Sequence, residues 1–326
     1  KTLSTIRLYD HALGVEEIAL LADSLKEANH LHYLILDQVS IRPKAATSLA
    51  SALQVSNLTY LDLSNNYLGD KGATLLGRAL KTNSSLKKLI LSSNRITSTG
   101  TSLSLSLCSR SFSRSLFSLS LSLALTPLSL SIALTPLSLS LFPSFSRFLA
   151  SRSLLLSLSL CSPHFLLTKF CFLGGEALAN ALLFNRTLIK LRLSKNNLGP
   201  QGAYAMGRTL ASNQSLLVLI LSQNNIGASG TFSLADGMKL NHSLKKLKIS
   251  GNRIRNDGAI SLAKALRTNR TLSALVVAGN KITYDGASAL AGALSVNTTL
   301  SFLDLSANRI FVEVTNFRSS TAPKNA

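Results

Sequence analysis

Side chains that could carry out catalysis are few and scattered in this chain of 326 residues. Its histidines stand in no Ser/His/Asp, Cys/His or HExxH pattern, and no glycine-rich loop of the phosphate-binding or dinucleotide-binding type occurs. The three cysteines lack the spacing of a metal site. We therefore predict a protein that is not an enzyme and that uses no cofactor and no metal. The residues concerned are His11, His30, His32, His164, His242, Cys108, Cys161 and Cys171.

Basic residues are more informative, because the formal net charge of the chain is +20. Five of them are predicted to share one surface that has no acidic residue between its first and last basic positions. They are Lys88, Lys190, Arg192, Lys246 and Lys248. Such a surface would attract an acidic protein or, more weakly, a nucleic-acid backbone. The alternative is a solvated face with chance charges. The predicted partner-binding surface also includes Tyr60, Asp62, Phe302 and Asp304.

Seven Asn-x-Ser/Thr sequons form a second recurrent pattern. They begin at Asn57, Asn83, Asn185, Asn213, Asn241, Asn269 and Asn297. The last six share one register, just after a predicted helix. Asparagine at such a position can end a helix through a left-handed backbone or through a side-chain hydrogen bond. We therefore expect a structural role for these asparagines rather than glycosylation.

A repeat of 28 residues positions all of these side chains. The pattern LxxLxLxxNxLGxxGAxxLAxALxxNxS/T begins at Leu58, Leu216 and Leu244. One asparagine in each unit marks the register, and successive asparagines are 28 residues apart except at one step of 102 residues, which exceeds 28 by 74. This predicted structural ladder consists of Asn66, Asn94, Asn196, Asn224, Asn252, Asn280 and Asn308.

Each unit is predicted to form a strand, a turn and a helix. Leu61 and Leu63 alternate with residues that face out, which is the period of a short strand. Gly69 and Gly72 permit the following turn. Apolar residues then recur at helical spacing through residues 73–80. One unit alone cannot bury its apolar face, so the units must stack, with the ladder asparagines pairing backbone groups of adjacent coils.

This unit resembles the leucine-rich repeats of the ribonuclease-inhibitor-like superfamily. The strings LDLSNNYLGDKGATLLGRAL at 61–80 and LRLSKNNLGPQGAYAMGRTL at 191–210 carry the resemblance. They look most like the sensor repeats of NOD-like receptors, and Ran GTPase-activating protein shares the unit. The resemblance implies an α/β horseshoe-shaped solenoid with parallel strands on its concave face and helices on its convex face. About eight to nine repeats would span residues 1–310, followed by a tail at 311–326.

The resemblance implies a protein-binding module, with innate immune sensing or regulation as the expected context. A GTPase-activating protein of the Ran type is one alternative, and a surface that senses anionic ligands or nucleic acid is another. The repeats outside residues 101–174 contain no cysteine, which favours a reducing compartment and hence a cytoplasmic location. The partner is expected to be a protein with an acidic patch, and no membrane is expected to be involved.

The first two units depart from the pattern, because His11 and Val39 stand where asparagine is expected. In addition, the step from Leu31 to Leu58 is 27 residues. Either the amino-terminal repeats are divergent, or the chain begins near a capping unit.

Residues 101–174 interrupt the repeats with a Ser/Leu segment of low complexity that contains no Asp, Glu or Asn. Three interpretations compete: an inserted loop, a membrane span within 115–146, or a translated intron. Serine at every second position and two prolines disfavour a span. Excision of 101–174 restores the 28-residue step between Asn94 and Asn196. We therefore favour an intron-derived, disordered insert.

Overall fold

A computed structural model describes residues 3–98 and 174–311 of the chain. Within these residues, short strands alternate with helices, as the repeat pattern predicts. The strands are β1 Thr5–Tyr9, β2 Tyr33–Asp37, β3 Tyr60–Asp62, β4 Lys88–Ile90, β5 Lys190–Arg192, β6 Val218–Ile220, β7 Lys246–Lys248, β8 Ala274–Val276 and β9 Phe302–Asp304. The helices are α1 Val15–Glu27, α2 Pro43–Val55, α3 Gly69–Thr82, α4 Gly174–Leu182, α5 Gly199–Ser212, α6 Gly227–Leu240, α7 Arg255–Leu266 and α8 Tyr284–Leu294.

The nine strands form one parallel sheet in the order of the sequence. Each strand pairs with the next at equivalent positions of the repeat, so that Leu61 lies beside Leu89. Strands β4 and β5 pair directly, Leu89 beside Leu191, although the long segment separates them in sequence. The divergent first two units join the same sheet through β1 and β2. The predicted α/β leucine-rich-repeat solenoid is therefore confirmed.

Several predictions fall on residues outside the described ranges. They concern Cys108, Cys161, Cys171 and His164, the Ser/Leu segment apart from Gly174, and the tail beyond residue 311. In the described ranges, no helix combines the length and hydropathy that a membrane crossing requires.

The core lies between the sheet and the row of helices. Leu61 and Leu63 on the strand side and Leu76 on the helix side are buried, as the two periodicities predict. Gly69 has a φ of +53°, so its role in the turn is confirmed. The turn prediction is wrong for Gly72, which lies inside α3, where an added Cβ would come within 2.9 Å of the Leu68 Cβ. Gly72 therefore permits close packing.

The ladder asparagines join consecutive coils through their side-chain amides. The Oδ1 of Asn252 accepts hydrogen bonds from the backbone N–H groups of Asn224, at 2.8 Å, and Ile226, at 3.3 Å. Its Nδ2 donates to the carbonyls of Leu221 and Ile249, both at 2.9 Å. The same pattern crosses the β4–β5 step, where the Oδ1 of Asn196 accepts from the N–H of Asn94 at 3.0 Å. Each bond satisfies a backbone group that would otherwise be unpaired.

The six sequon asparagines that share a register form a second set of links between coils. Asn213 has an extended backbone (φ −81°, ψ 122°), so the left-handed alternative is wrong and the side-chain alternative is correct. Its Nδ2 donates to the carbonyls of Leu182 and Asn185, at 2.8 and 3.0 Å. Its Oδ1 accepts from the N–H groups of Ser215 and Leu216. All six are buried, whereas Asn57 is exposed.

Candidate functional site

The outward side chains of β1–β9 form one surface, which we call the strand face. They belong to the first and third residues of each short strand, while the residue between them points into the core. In the register of the sheet, the first row from β3 to β9 consists of Tyr60, Lys88, Lys190, Val218, Lys246, Ala274 and Phe302. The second row consists of Asp62, Ile90, Arg192, Ile220, Lys248, Val276 and Asp304.

Strands β4, β5 and β7 bring the five predicted basic residues onto the strand face, and we call this group the basic strip. Lys190 lies beside Lys88 in the sheet, with Arg192 on its own strand. Burial lowers the pKa of Lys190, and the charges of Arg192, Lys88, Lys246 and Lys248 lower it further. The five side chains therefore form one electrostatic cluster.

No acidic side chain neutralises the basic strip within the described residues. The ion pairs found there, Lys26–Asp23 and Lys239–Asp236, both lie within single helices, α1 and α6. Mutual repulsion among unpaired cations disfavours their charged forms and raises the local positive potential. A cluster of this kind lowers the stability of the unbound protein and favours the binding of an anion.

Apolar and charged residues alternate along the second row of the strand face. Ile90, Ile220 and Val276 are only 5–7% exposed although they lie on the open side of the sheet. Each has a charged neighbour on both adjacent strands, such as Arg192 and Lys248 on the two sides of Ile220. Long basic side chains cover apolar surface with their methylene groups while the charged ends stay in water. The basic strip is therefore a packed surface.

The two ends of the strand face are acidic and aromatic. Near β3, the rings of Tyr33 and Tyr60 lie 5.8 Å apart with their planes inclined by 35°. Burial raises the pKa of Tyr60, and the Asp62 carboxylate raises it further through its charge and a hydrogen bond. At β9, a hydrogen bond from Ser306 lowers the pKa of Asp304, and the more distant Lys248 adds to this effect.

Tyr60, Asp62, Phe302 and Asp304 thus lie on the strand face, and they flank the basic strip. Tyr33 is not among the predicted residues, although the structure places it beside Tyr60. Its unit lacks the marker asparagine, having Val39 instead, so the repeat pattern gives a weaker register there. The alternation of residues 33–37 was the signal that could have identified it.

A cavity of about 370 Å³ opens where the basic strip meets the aromatic end. We call it the edge pocket, and its lining consists of His32, Tyr33, Thr59, Tyr60, Lys87 and Lys88. The residues come from the starts of three neighbouring strands, β2, β3 and β4, and from the residues just before them. Lys88 belongs to both the edge pocket and the basic strip, so the two features are continuous.

In the part of the chain that the structure describes, no three His, Cys, Asp or Glu side chains lie together in a way that could hold a metal ion. The strand face instead offers cations, hydroxyl groups and aromatic rings over several coils. Such a surface can bind an extended or bulky ligand through many separate contacts.

Comparison with known proteins identifies the repeat. The model of the leucine-rich repeat family matches residues 56–77, 82–103, 184–207, 212–235, 240–263 and 268–291. No curated protein matches the chain. Among solved structures, leiomodin-1 actin-binding site 2 is similar at 21% identity and a TM-score of 0.33, over 37% of this chain and 70% of that one. The C-terminal domain of tropomodulin from Caenorhabditis elegans is 16% identical, with a TM-score of 0.33, over 37% and 74%.

Both TM-scores are low, so neither structure bears on the function of this chain. The family matches cover units on both sides of the Ser/Leu segment, and they coincide with the coils whose asparagines link neighbours. The chain therefore carries leucine-rich repeats, and its described residues fold as a leucine-rich-repeat solenoid whose open sheet suggests a protein-binding module.

Proposed function

We propose that this chain is a protein-binding module that holds an acidic segment of a partner on the basic strip. The observation that carries the proposal is the cluster of five cations that share one face and have no acidic neighbour within the described residues. An acidic segment would neutralise these charges and remove their repulsion on binding. Complementary charge also accelerates association and discriminates against basic partners.

Two features favour a protein over a nucleic acid as the partner. The basic pairs on β5 and β7 are separated by the apolar pair Val218 and Ile220, which can contact an apolar side chain. The flanking carboxylates of Asp62 and Asp304 would repel a continuous phosphate backbone. No aromatic ring lies within the basic strip itself to stack on bases.

The test measures binding of a fluorescein-labelled peptide of eight glutamates by fluorescence anisotropy. We expect the variant with Lys190, Arg192, Lys246 and Lys248 all changed to glutamine to bind at least tenfold more weakly than the wild type. The matched control removes four exposed cations from the helices, at Lys44, Lys71, Arg78 and Lys264. Because both variants lose the same net charge, equal weakening in both would contradict a localised site.

Ionic strength and a second ligand complete the test. Binding to the wild type should weaken as salt rises, because the contact is between charges near the surface. A single-stranded oligonucleotide of equal charge serves as the competing ligand. If it binds more tightly than the peptide and loses its affinity in the strand-face variant, the surface senses nucleic acid instead.

The wider context is a further part of the proposal and rests on the resemblance of the repeat unit. We propose a sensor or regulatory repeat region of a protein similar to NOD-like receptors, acting in the cytoplasm. The Ran-type alternative predicts that the chain accelerates GTP hydrolysis by Ran. An assay with GTP-loaded Ran separates them, because hydrolysis at the unassisted rate removes the alternative.

A further inference from the structure

The edge pocket is the one feature of the strand face that the basic strip alone does not explain. Its two tyrosine rings form an apolar wall, and Tyr33 remains 46% exposed. A hydrogen bond to Asp62 restrains Tyr60. The wall is therefore partly open and partly preformed, which reduces the entropy lost when a ligand group binds there.

The charges around the edge pocket limit what can enter it. Lys87, Lys88 and His32 line the opening, so a cationic side chain would be repelled. A large neutral ring fits better, because aromatic pairs prefer tilted or offset contacts at centroid distances of about 4.5–7 Å. The cations then favour acidic residues next to that ring in the partner.

We propose that the partner's acidic segment carries an aromatic side chain that occupies the edge pocket, so that one peptide spans the pocket and the basic strip. This inference rests on the proposed function, because the same segment must first be held by the strip. Lys88 provides the continuity, since it lines the pocket and also belongs to the strip. The partner is thus an acidic peptide with an aromatic anchor at one end.

The sheet geometry sets the spacing within that peptide. The edge pocket is centred near β3, and the basic pairs lie on β5 and β7, two and four strands away. At roughly 4.8 Å between strands, these pairs lie about 10 and 19 Å from the pocket. An extended peptide advances about 3.3 Å per residue. The acidic residues should therefore stand about three and about six positions from the aromatic residue.

The experiment compares two labelled peptides on the full chain by fluorescence anisotropy. The first contains phenylalanine, glycine, serine, two glutamates, serine and two glutamates, in that order, and the second has alanine in place of phenylalanine. We expect the phenylalanine peptide to bind about tenfold more tightly, in keeping with burial of part of an aromatic ring. This advantage should disappear in Y33A.

The matched control is Y204A, since Tyr204 is also about half exposed but lies on helix α5. Y204A should keep the full advantage of the phenylalanine peptide. Circular dichroism melting checks that both variants are folded, which their exposure leads us to expect. The comparison depends on the ratio between two peptides within each variant, so a moderate change in stability does not distort it.

The outcomes separate this inference from the proposed function. If both peptides bind equally and both lose affinity in the strand-face variant, the aromatic anchor is refuted and the basic strip stands. If the advantage of phenylalanine persists in Y33A, the ring binds elsewhere and the inference is also refuted. If neither peptide binds at low salt, the proposed function fails first.

Discussion

The substitution N252A removes one complete set of links between coils. Asn252 is fully buried, and its amide accepts two backbone N–H groups and donates to two nearby carbonyls. The carbonyls of Leu221 and Ile249 keep a partner after the substitution, because the amides of the adjacent ladder asparagines also donate to them. The N–H groups of Asn224 and Ile226 have no second acceptor among the described residues.

The expected loss follows from these two orphaned donors. A buried group left unpaired costs roughly 1–3 kcal/mol, so two of them cost about 2–6 kcal/mol. The bond from Ile226 is longer, at 3.3 Å, than that from Asn224, at 2.8 Å, and contributes less. We expect N252A to lower the free energy of unfolding by ~3–4 kcal/mol, given these bond lengths.

The assay is urea unfolding followed by far-ultraviolet circular dichroism, with N308A as the matched control. Asn308 accepts the equivalent N–H groups, of Asn280 and Ile282, at 2.8 and 3.1 Å, but it is partly exposed. Water can replace its amide, so N308A should lose only about 1 kcal/mol. Equal losses in N252A and N308A, with unchanged denaturant slopes, would refute the argument that burial makes the ladder costly to break.

Three further predictions concern the charge, the sequons and the turns. K190M should raise the urea midpoint at pH 7, and this gain should shrink as pH approaches 10.5, because the lowered pKa of Lys190 makes its charge unfavourable until it loses its proton; a gain independent of pH would contradict this. Peptide mapping of folded protein from a secretory host should find glycan at the exposed Asn57 and none at Asn213, whose Nδ2 is buried and donates two hydrogen bonds. G279A should cost about 1–2 kcal/mol through its left-handed backbone, whereas A307G should gain up to about 1 kcal/mol, both measured by urea unfolding.

The repeat pattern is sufficient to predict the sheet, because leucines at every second position and one asparagine per unit define the register. The alternation within each unit assigns Lys88, Lys190 and Lys246 to one row, and the strand pairing agrees. Periodicity reports which side of an element is buried. It does not report how close two backbones approach, so the packing role of Gly72 was missed.

The contacts between coils were harder to predict than the coils themselves. The sequon position of Asn213 indicated a helix end, yet its amide also reaches carbonyls of the preceding coil. That bond depends on the distance between coils, which no local pattern contains. Similarly, the edge pocket requires Tyr33 from a divergent unit to meet Tyr60, and only the stacked sheet brings the two rings together.

The hydrogen bonds that hold the coils and the side chains that face the partner occupy different parts of each unit. In β7, Leu247 points into the core, while Lys246 and Lys248 point outward and take part in no side-chain hydrogen bond among the described residues. The asparagine links lie beyond the two ends of the strand, at Asn241 and Asn252. Outward residues can therefore change with little effect on the fold, which explains how the sheet tolerates an unneutralised basic strip. It follows that substitutions at Lys246 and Lys248 should alter binding without destabilising the protein, whereas substitution of Asn252 should do the reverse.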